Sequence, residues 1–168
     1  MKEDQQTQAA RHLCRTDLFF LLWKILHRSD IKKDWLFDRC REVEAEPNGR
    51  LDLWAREHYK STIITFGKTI QDILRSHGED APDPVELTVG IFSHTRPGAK
   101  KFLAQIMREF EENADLRNLF PDVLWDKPKK DAPKWSLDDG IIVKRKSNPK
   151  EATIEAWMAP IGRNWISF

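Results

Sequence analysis

The middle of the chain repeats one succession, and this constrains the fold more than any other feature. Residues 85–92, "VELTVGIF", have the apolar density of a buried strand. Residues 99–112 follow with Ala99, Phe102, Leu103, Ile106, Met107 and Phe110 at spacings of three and four, one face of an amphipathic helix. One unit earlier, residues 50–55 read as a strand and Ser61 to Ser76 as a helix, ended by His77-Gly78 because glycine suits the left-handed position after a helix. Strands alternating with helices of this length favour an α/β fold built on a parallel sheet with right-handed crossovers.

The flanks differ from this centre. Residues 9–28 predict a first helix with Leu18, Leu21, Leu22, Ile25 and Leu26 on one face, widened by Phe19, Phe20 and Trp23 into a surface that needs cover on two sides. A shorter helix is predicted over Lys33 to Glu44, stopped by Pro47-Asn48-Gly49, and Ser93 to Gly98 reads as the loop after the second strand. Residues 125–135, "WDKPKKDAPKW", read as an exposed loop. "GIIVKRK" and "ATIEAW", separated by Ser147 to Glu151, read as a β-hairpin.

With 168 residues, 40% of them hydrophobic, one domain with a sizeable core is expected. A formal net charge of +1 gives no general attraction to nucleic acid, so any such binding must come from local patches. Cys14 and Cys40 form neither a disulfide framework nor a metal-ligand spacing, which fits a reducing cytoplasm. The one membrane-like run, Leu18 to Leu26, contains Lys24 and is far shorter than the roughly 20 residues a spanning helix needs.

The candidate chemistry lies at residues 56–62, "REHYKST", between the first predicted strand and its helix. In a phosphate-binding loop, backbone N–H groups and a helix N-terminus face the phosphates, a lysine reaches the outer ones, and a Ser/Thr hydroxyl holds magnesium. Aligning Lys60-Ser61 with that pattern puts Trp54 and Tyr59 where its two glycines belong. Two readings stay open: a nucleotide site, or a helix start capped by Ser61 or Thr62 beside a solvated Lys60. Arg56 is either a surface charge or an arginine that stabilises phosphoryl transfer. His58 has no companion ligands at metal spacing.

Three ordered blocks carry a family resemblance: "LDLWAREHYKSTIITFGKTIQDIL", "TVGIFSHTRPGAKKFLAQIMREFEENADLRNLFPDVLWD" and "APKWSLDDGIIVKRKSNPKEATIEAW". Across about residues 16–157 the chain resembles the N-terminal ATPase domain of the large terminase subunit of tailed bacteriophages. The resemblance implies an incomplete P-loop NTPase-type parallel sheet with flanking helices, an N-terminal helical segment (9–46), a core (50–120), and a loop and C-terminal hairpin (121–157). It also implies ATP and Mg²⁺ as cofactors, with a deviant Walker A loop of Arg56, Glu57, His58, Tyr59, Lys60, Ser61 and Thr62. Arg56 would be the cis-acting catalytic arginine, Lys60 the phosphate-binding lysine, and Ser61 or Thr62 the magnesium-side hydroxyl. The implied partners are double-stranded DNA, a portal, a small terminase subunit and further copies of the chain, in the host cytoplasm and away from the membrane.

Two departures accompany the match. A Walker B strand ending in an acidic pair is expected soon after "EATIEAW", yet "MAPIGRNWISF" contains no acidic residue. The expectation is an N-terminal fragment of a packaging motor, a truncated or frameshifted prophage product, with unpaired strands that make it marginally stable or prone to associate. Asp138-Asp139 precedes a predicted strand and reads as loop-capping or solvated. Lys127, Lys129, Lys130 and Lys134, then Lys144, Arg145, Lys146 and Lys150, read either as DNA contacts or as solvated loop charge. A non-catalytic interaction or DNA-binding fragment is the alternative function.

Overall fold

A computed structural model describes residues 5–46, 53–55, 57–83 and 85–159. Helix α1 (Gln5–Thr16) stops at Asp17, whose extended backbone frees its carboxylate to accept from the N–H of Phe20. The chain then re-enters helix as α2 (Leu18–Phe20), a π-helical turn (Leu21–Ile25) and a short 3-10 turn (Ser29–Ile31). The helix predicted over 9–28 is thus two helices, because an aspartate able to cap the second stands between them. Leu18, Leu21, Leu22 and Leu26 are buried, and Phe19 packs edge-on against Phe37 of α3 (Asp34–Ala45). Glu44 ties these helices together, accepting from the N–H of Leu18 at 2.7 Å and from Gln71 Nε2 at 2.9 Å.

A second two-part helix begins at Ser61, runs in π geometry to Lys68 and continues as α4 (Thr69–Ser76). Gly67 lets it lie against α2's continuation: a Cβ there would stand 2.6 Å from Leu22 Cδ2. At its far end, α1 is bound to the turn after α4. Arg15 Nε donates to the carbonyl of Leu74, Arg11 donates to Asp122 at 2.8 and 2.9 Å, and both arginines pair with Asp80 while lying over the ring of Phe120.

The sheet is mixed, with order β1-β4-β3-β2. Strand β1 (Val89–Ser93) pairs parallel with β4 (Ile154–Met158), while β2 (Trp135–Ser136), β3 (Gly140–Ile141) and β4 are joined antiparallel. The expected parallel pairing is thus confined to β1 and β4, and the antiparallel C-terminal strands make the sheet mixed. Of the strand predicted at 50–55, residues 53–55 are not in a strand and 50–52 lie outside the described residues. The described structure is therefore mixed α/β with an open four-stranded sheet. Residues 85–88 also leave the predicted strand: β4 starts opposite Val89, and Glu86 instead binds the backbone N–H groups of Lys146 and Ser147.

Helix α5 (Arg96–Glu112) starts three residues before its predicted beginning, because Thr95 caps it and Pro97 fits its first turn. Its Ala99, Leu103, Ile106 and Phe110 are buried against one sheet face with Ile91, Ile154 and Ala156. Asn113 then caps α6 (Ala114–Leu119). The segment expected as an exposed loop contains α7 (Pro128–Asp131), with Pro128 buried, and β2. Strands β2 and β3 close a tight hairpin that sequence reading missed. Gly140 makes it possible, with φ +83° and no room for a Cβ, which would meet the Ile154 carbonyl at 2.4 Å. The predicted hairpin of β3 and β4 is present but pairs only at Ile141 and Ile154, beyond which Val143 donates to Thr153 Oγ1. No helix among the described residues is long and apolar enough to cross a membrane.

Candidate functional site

Residues 57–62 bring together every sequence-predicted site residue that the structure describes; Arg56 lies outside the described residues. Glu57 and Tyr59 adopt left-handed backbone, with φ +65° and +60°, and His58 between them does not. Lys60 follows with φ −50° and ψ −52°, already right-handed helix. Tyr59 and Lys60 thus have φ of opposite sign, the step from left- to right-handed backbone from which anion-binding nests are built. Tyr59 stands at the aligned position of the second glycine of a phosphate loop and has the backbone sign that glycine would supply there.

The loop runs straight into a helix. The Tyr59 carbonyl accepts the first helical bond, from Ile63 at 2.9 Å. Lys60 makes no side-chain capping bond, and Ser61 and Thr62 lie inside the first turn rather than at the cap. This disfavours the reading in which a hydroxyl merely caps the helix. Instead the first-turn N–H groups of a helix whose π and α parts are eight residues each open beside the loop. Residues 54–55 and 57–62 line an open concavity of about 390 Å³, with the Lys60 and Ser61 side chains exposed. The helix dipole adds positive potential at this end.

Helix α3 supports the loop from outside the motif. The Trp35 ring lies 5.9 Å from that of His58 and meets Tyr59 edge-on at 6.2 Å, while Lys33 Nζ is 5.2 Å from the Tyr59 ring. Arg39 lies over Trp54 at 5.6 Å. None of these three α3-end residues was singled out from the sequence. Their spacing of two and four marks no single helix face, and only the tertiary packing brings them to a motif some twenty residues away.

Other candidates resolve differently. Asp138 is taken up by Lys100 at 2.5 Å and Arg96 at 3.7 Å, which holds its carboxyl below the usual range. Asp139 exchanges two hydrogen bonds with Ser136 in the hairpin turn, the loop-capping role expected. Among the basic residues, Lys144 donates to the carbonyl of Pro121 and Arg145 to those of Glu151 and Pro149, so both brace a connection. Lys129 pairs with Glu111 at 3.0 Å yet is exposed, as are Lys127, Lys130, Lys134 and Lys146. Burial pushes the Cys14 and Cys40 thiols up to about 12, so neither is a reactive thiolate. No group of three or more potential metal ligands occurs among the described residues.

Comparison of the chain with models of known families, with curated proteins and with solved structures returned no match. What the site can do is therefore argued from its own geometry. A helix start, one exposed lysine and one exposed hydroxyl line a single concavity, which suits a phosphorylated ligand.

Proposed function

We propose that residues 56–62 form a phosphate-binding loop of Walker A type without glycines, and that the chain is the nucleotide-binding portion of a terminase-like ATPase that packages viral DNA. The observation that carries this reading is the left-handed Tyr59 at the glycine position directly before Lys60. Backbone strain of this kind persists where surrounding structure holds it, and it clusters at functional sites. In this reading Lys60 contacts the outer phosphates of ATP, and Ser61 supplies the Mg²⁺-side hydroxyl with Thr62 next to it. Arg56 stabilises charge in transfer, and the N–H groups of 57–60 cradle the phosphates. Double-stranded DNA is contacted by the exposed lysines of 127–134 and by Lys146 and Lys150. A P-loop NTPase-type arrangement of the sheet belongs to the same proposal.

The test is calorimetric titration of MgATP into the protein and into Lys60→Ala. Saturable binding lost in the variant is the expected outcome; equal heats for both would refute the reading.

One observation favours a second reading, a non-catalytic fragment that docks on a portal, a small terminase subunit or another copy. The parallel pair β1–β4 has α5 on one face, while Phe92 and Trp157, neighbours in register, are 63% and 50% exposed on the other. Parallel pairs are ordinarily covered on both faces. Under this reading Lys60→Ala leaves association with those partners unchanged.

A further inference from the structure

The left-handed backbone at Tyr59 is not intrinsic to its residue type. An L-residue with a side chain resists this region by roughly 1–2 kcal/mol, so something outside the loop must hold Tyr59 there. The described contacts of its ring are with the start of α3: Trp35 edge-on at 6.2 Å and Lys33 Nζ at 5.2 Å. Trp35 also reaches His58, so one indole touches the two residues that lie between Glu57 and Lys60. Lys33 is extended, with φ −143°, and its carbonyl starts α3 by accepting from Leu36 and Phe37, so both contacting side chains sit on a fixed helix end. Trp35 is 41% exposed and absent from the buried cluster of the core, although Tyr59 and Trp54 pack against that cluster.

We propose that Trp35 is a positioning residue for the phosphate loop, holding Tyr59 and His58 in the conformation that turns the loop amides toward the ligand. It replaces by tertiary contact what a glycine would provide by conformational freedom. The proposal rests on the phosphate-loop reading above. Its signature is conditional: Trp35 matters chiefly while residue 59 carries a side chain. A glycine at 59 adopts positive φ without support, and the indole then keeps only its contact with His58.

The experiment is a double-mutant cycle of Trp35→Ala and Tyr59→Gly, with MgATP affinity by calorimetry, thermal midpoint in parallel and Trp35→Phe as the conservative control. Edge-on aromatic contacts of this kind correspond to a change of roughly three- to tenfold in the fraction of competent loop, and apparent affinity falls in proportion. Trp35→Ala should therefore bind about three- to tenfold more weakly, with Trp35→Phe near wild type. In the Tyr59→Gly background the same substitution should change affinity less than twofold. Amides 57–60 of the nucleotide-free protein should exchange faster in Trp35→Ala, with the core amides of α5 unchanged. Lys60-dependent binding that is equally tight in Trp35→Ala overturns the proposal alone, as does an equal loss in both backgrounds. Absence of Lys60-dependent binding in the wild type overturns the phosphate-loop reading and the proposal with it.

Discussion

Replacing Asp122 with alanine tests how the helix carrying the candidate loop is anchored at its far end. Arg11 has a side chain only 6% exposed and donates two bonds to Asp122, itself 17% exposed, at 2.8 and 2.9 Å. Asp122 also accepts from the N–H of Glu79 at 3.0 Å, so its removal leaves both a buried cation and a backbone donor short of a partner. Breaking a fully buried pair costs about 3–5 kcal/mol. Here Arg11 keeps Asp80 and the Leu119 carbonyl, and Asp80 is 53% exposed, so the charge is not stranded. A loss of about 2–3 kcal/mol follows from scaling the buried case to this half-open one. In a chain of this size each kcal/mol moves Tm by roughly 2–4 °C, so a drop of about 5–10 °C is expected in scanning calorimetry. Asp138→Ala removes an exposed pair and serves as the control, with no measurable shift expected. A Tm change under about 2 °C in Asp122→Ala, or one equal to the control, would mean that Asp80 alone satisfies Arg11.

The same cluster sets a pH dependence. Hydrogen bonding from Arg15, opposed by burial and reinforced by Arg11, holds the Asp80 carboxyl far below its ordinary range, and burial at Asp122 is outweighed by its bonds from Arg11. With folded values depressed, the unfolded chain binds more protons, so this stabilisation is complete above the ordinary carboxylate value near 4 and is lost as pH falls further. The gap in urea midpoint between wild type and Asp122→Ala should stay constant from pH 7 to 5, where buried His77 affects both alike, and shrink below about pH 4; a gap that does not shrink contradicts the assignment. Gly140→Ala forces a Cβ to 2.4 Å from the Ile154 carbonyl at φ +83° and should destabilise by about 2 kcal/mol or more in urea titration. Unchanged stability there would show that the β2–β3 turn is not built as described.

Much of the fold was legible because it is local. The spacing of Leu103, Ile106 and Phe110 fixes the buried face of α5 without any knowledge of the rest. Lys33 to Glu44 matches α3 within a residue at each end. The misjudged elements depend on a partner. Residues 85–88 have a strand's composition but no ladder to join, since β4 begins at Ile154. The hairpin at Trp135 forms because β3 is held by β4, nineteen positions further on from Trp135 to Ile154, and not because "APKW" prefers a strand. Asp17 broke a helix that its neighbours would have continued, by a capping bond that competes locally and is hard to weigh against a nine-residue apolar run.

The candidate site was half legible for a reason that bears on what it is. Lys60 and Ser61 could be found because the phosphate-loop pattern specifies those side chains. The loop's backbone could not be read, because the usual signal for positive φ is glycine and this segment has none. A left-handed tyrosine is disfavoured by roughly 1–2 kcal/mol on its own, while an aromatic pair contributes about 0.5–1.5 kcal/mol. Contact of Tyr59 with Trp35 and Lys33, together with its packing on the core, therefore has the magnitude needed to offset that strain, with little surplus. A loop balanced in this way keeps its shape only while α3 is docked. Its conformation is then a property of the helical segment and the loop together, and no window of sequence around residues 56–62 could have revealed it.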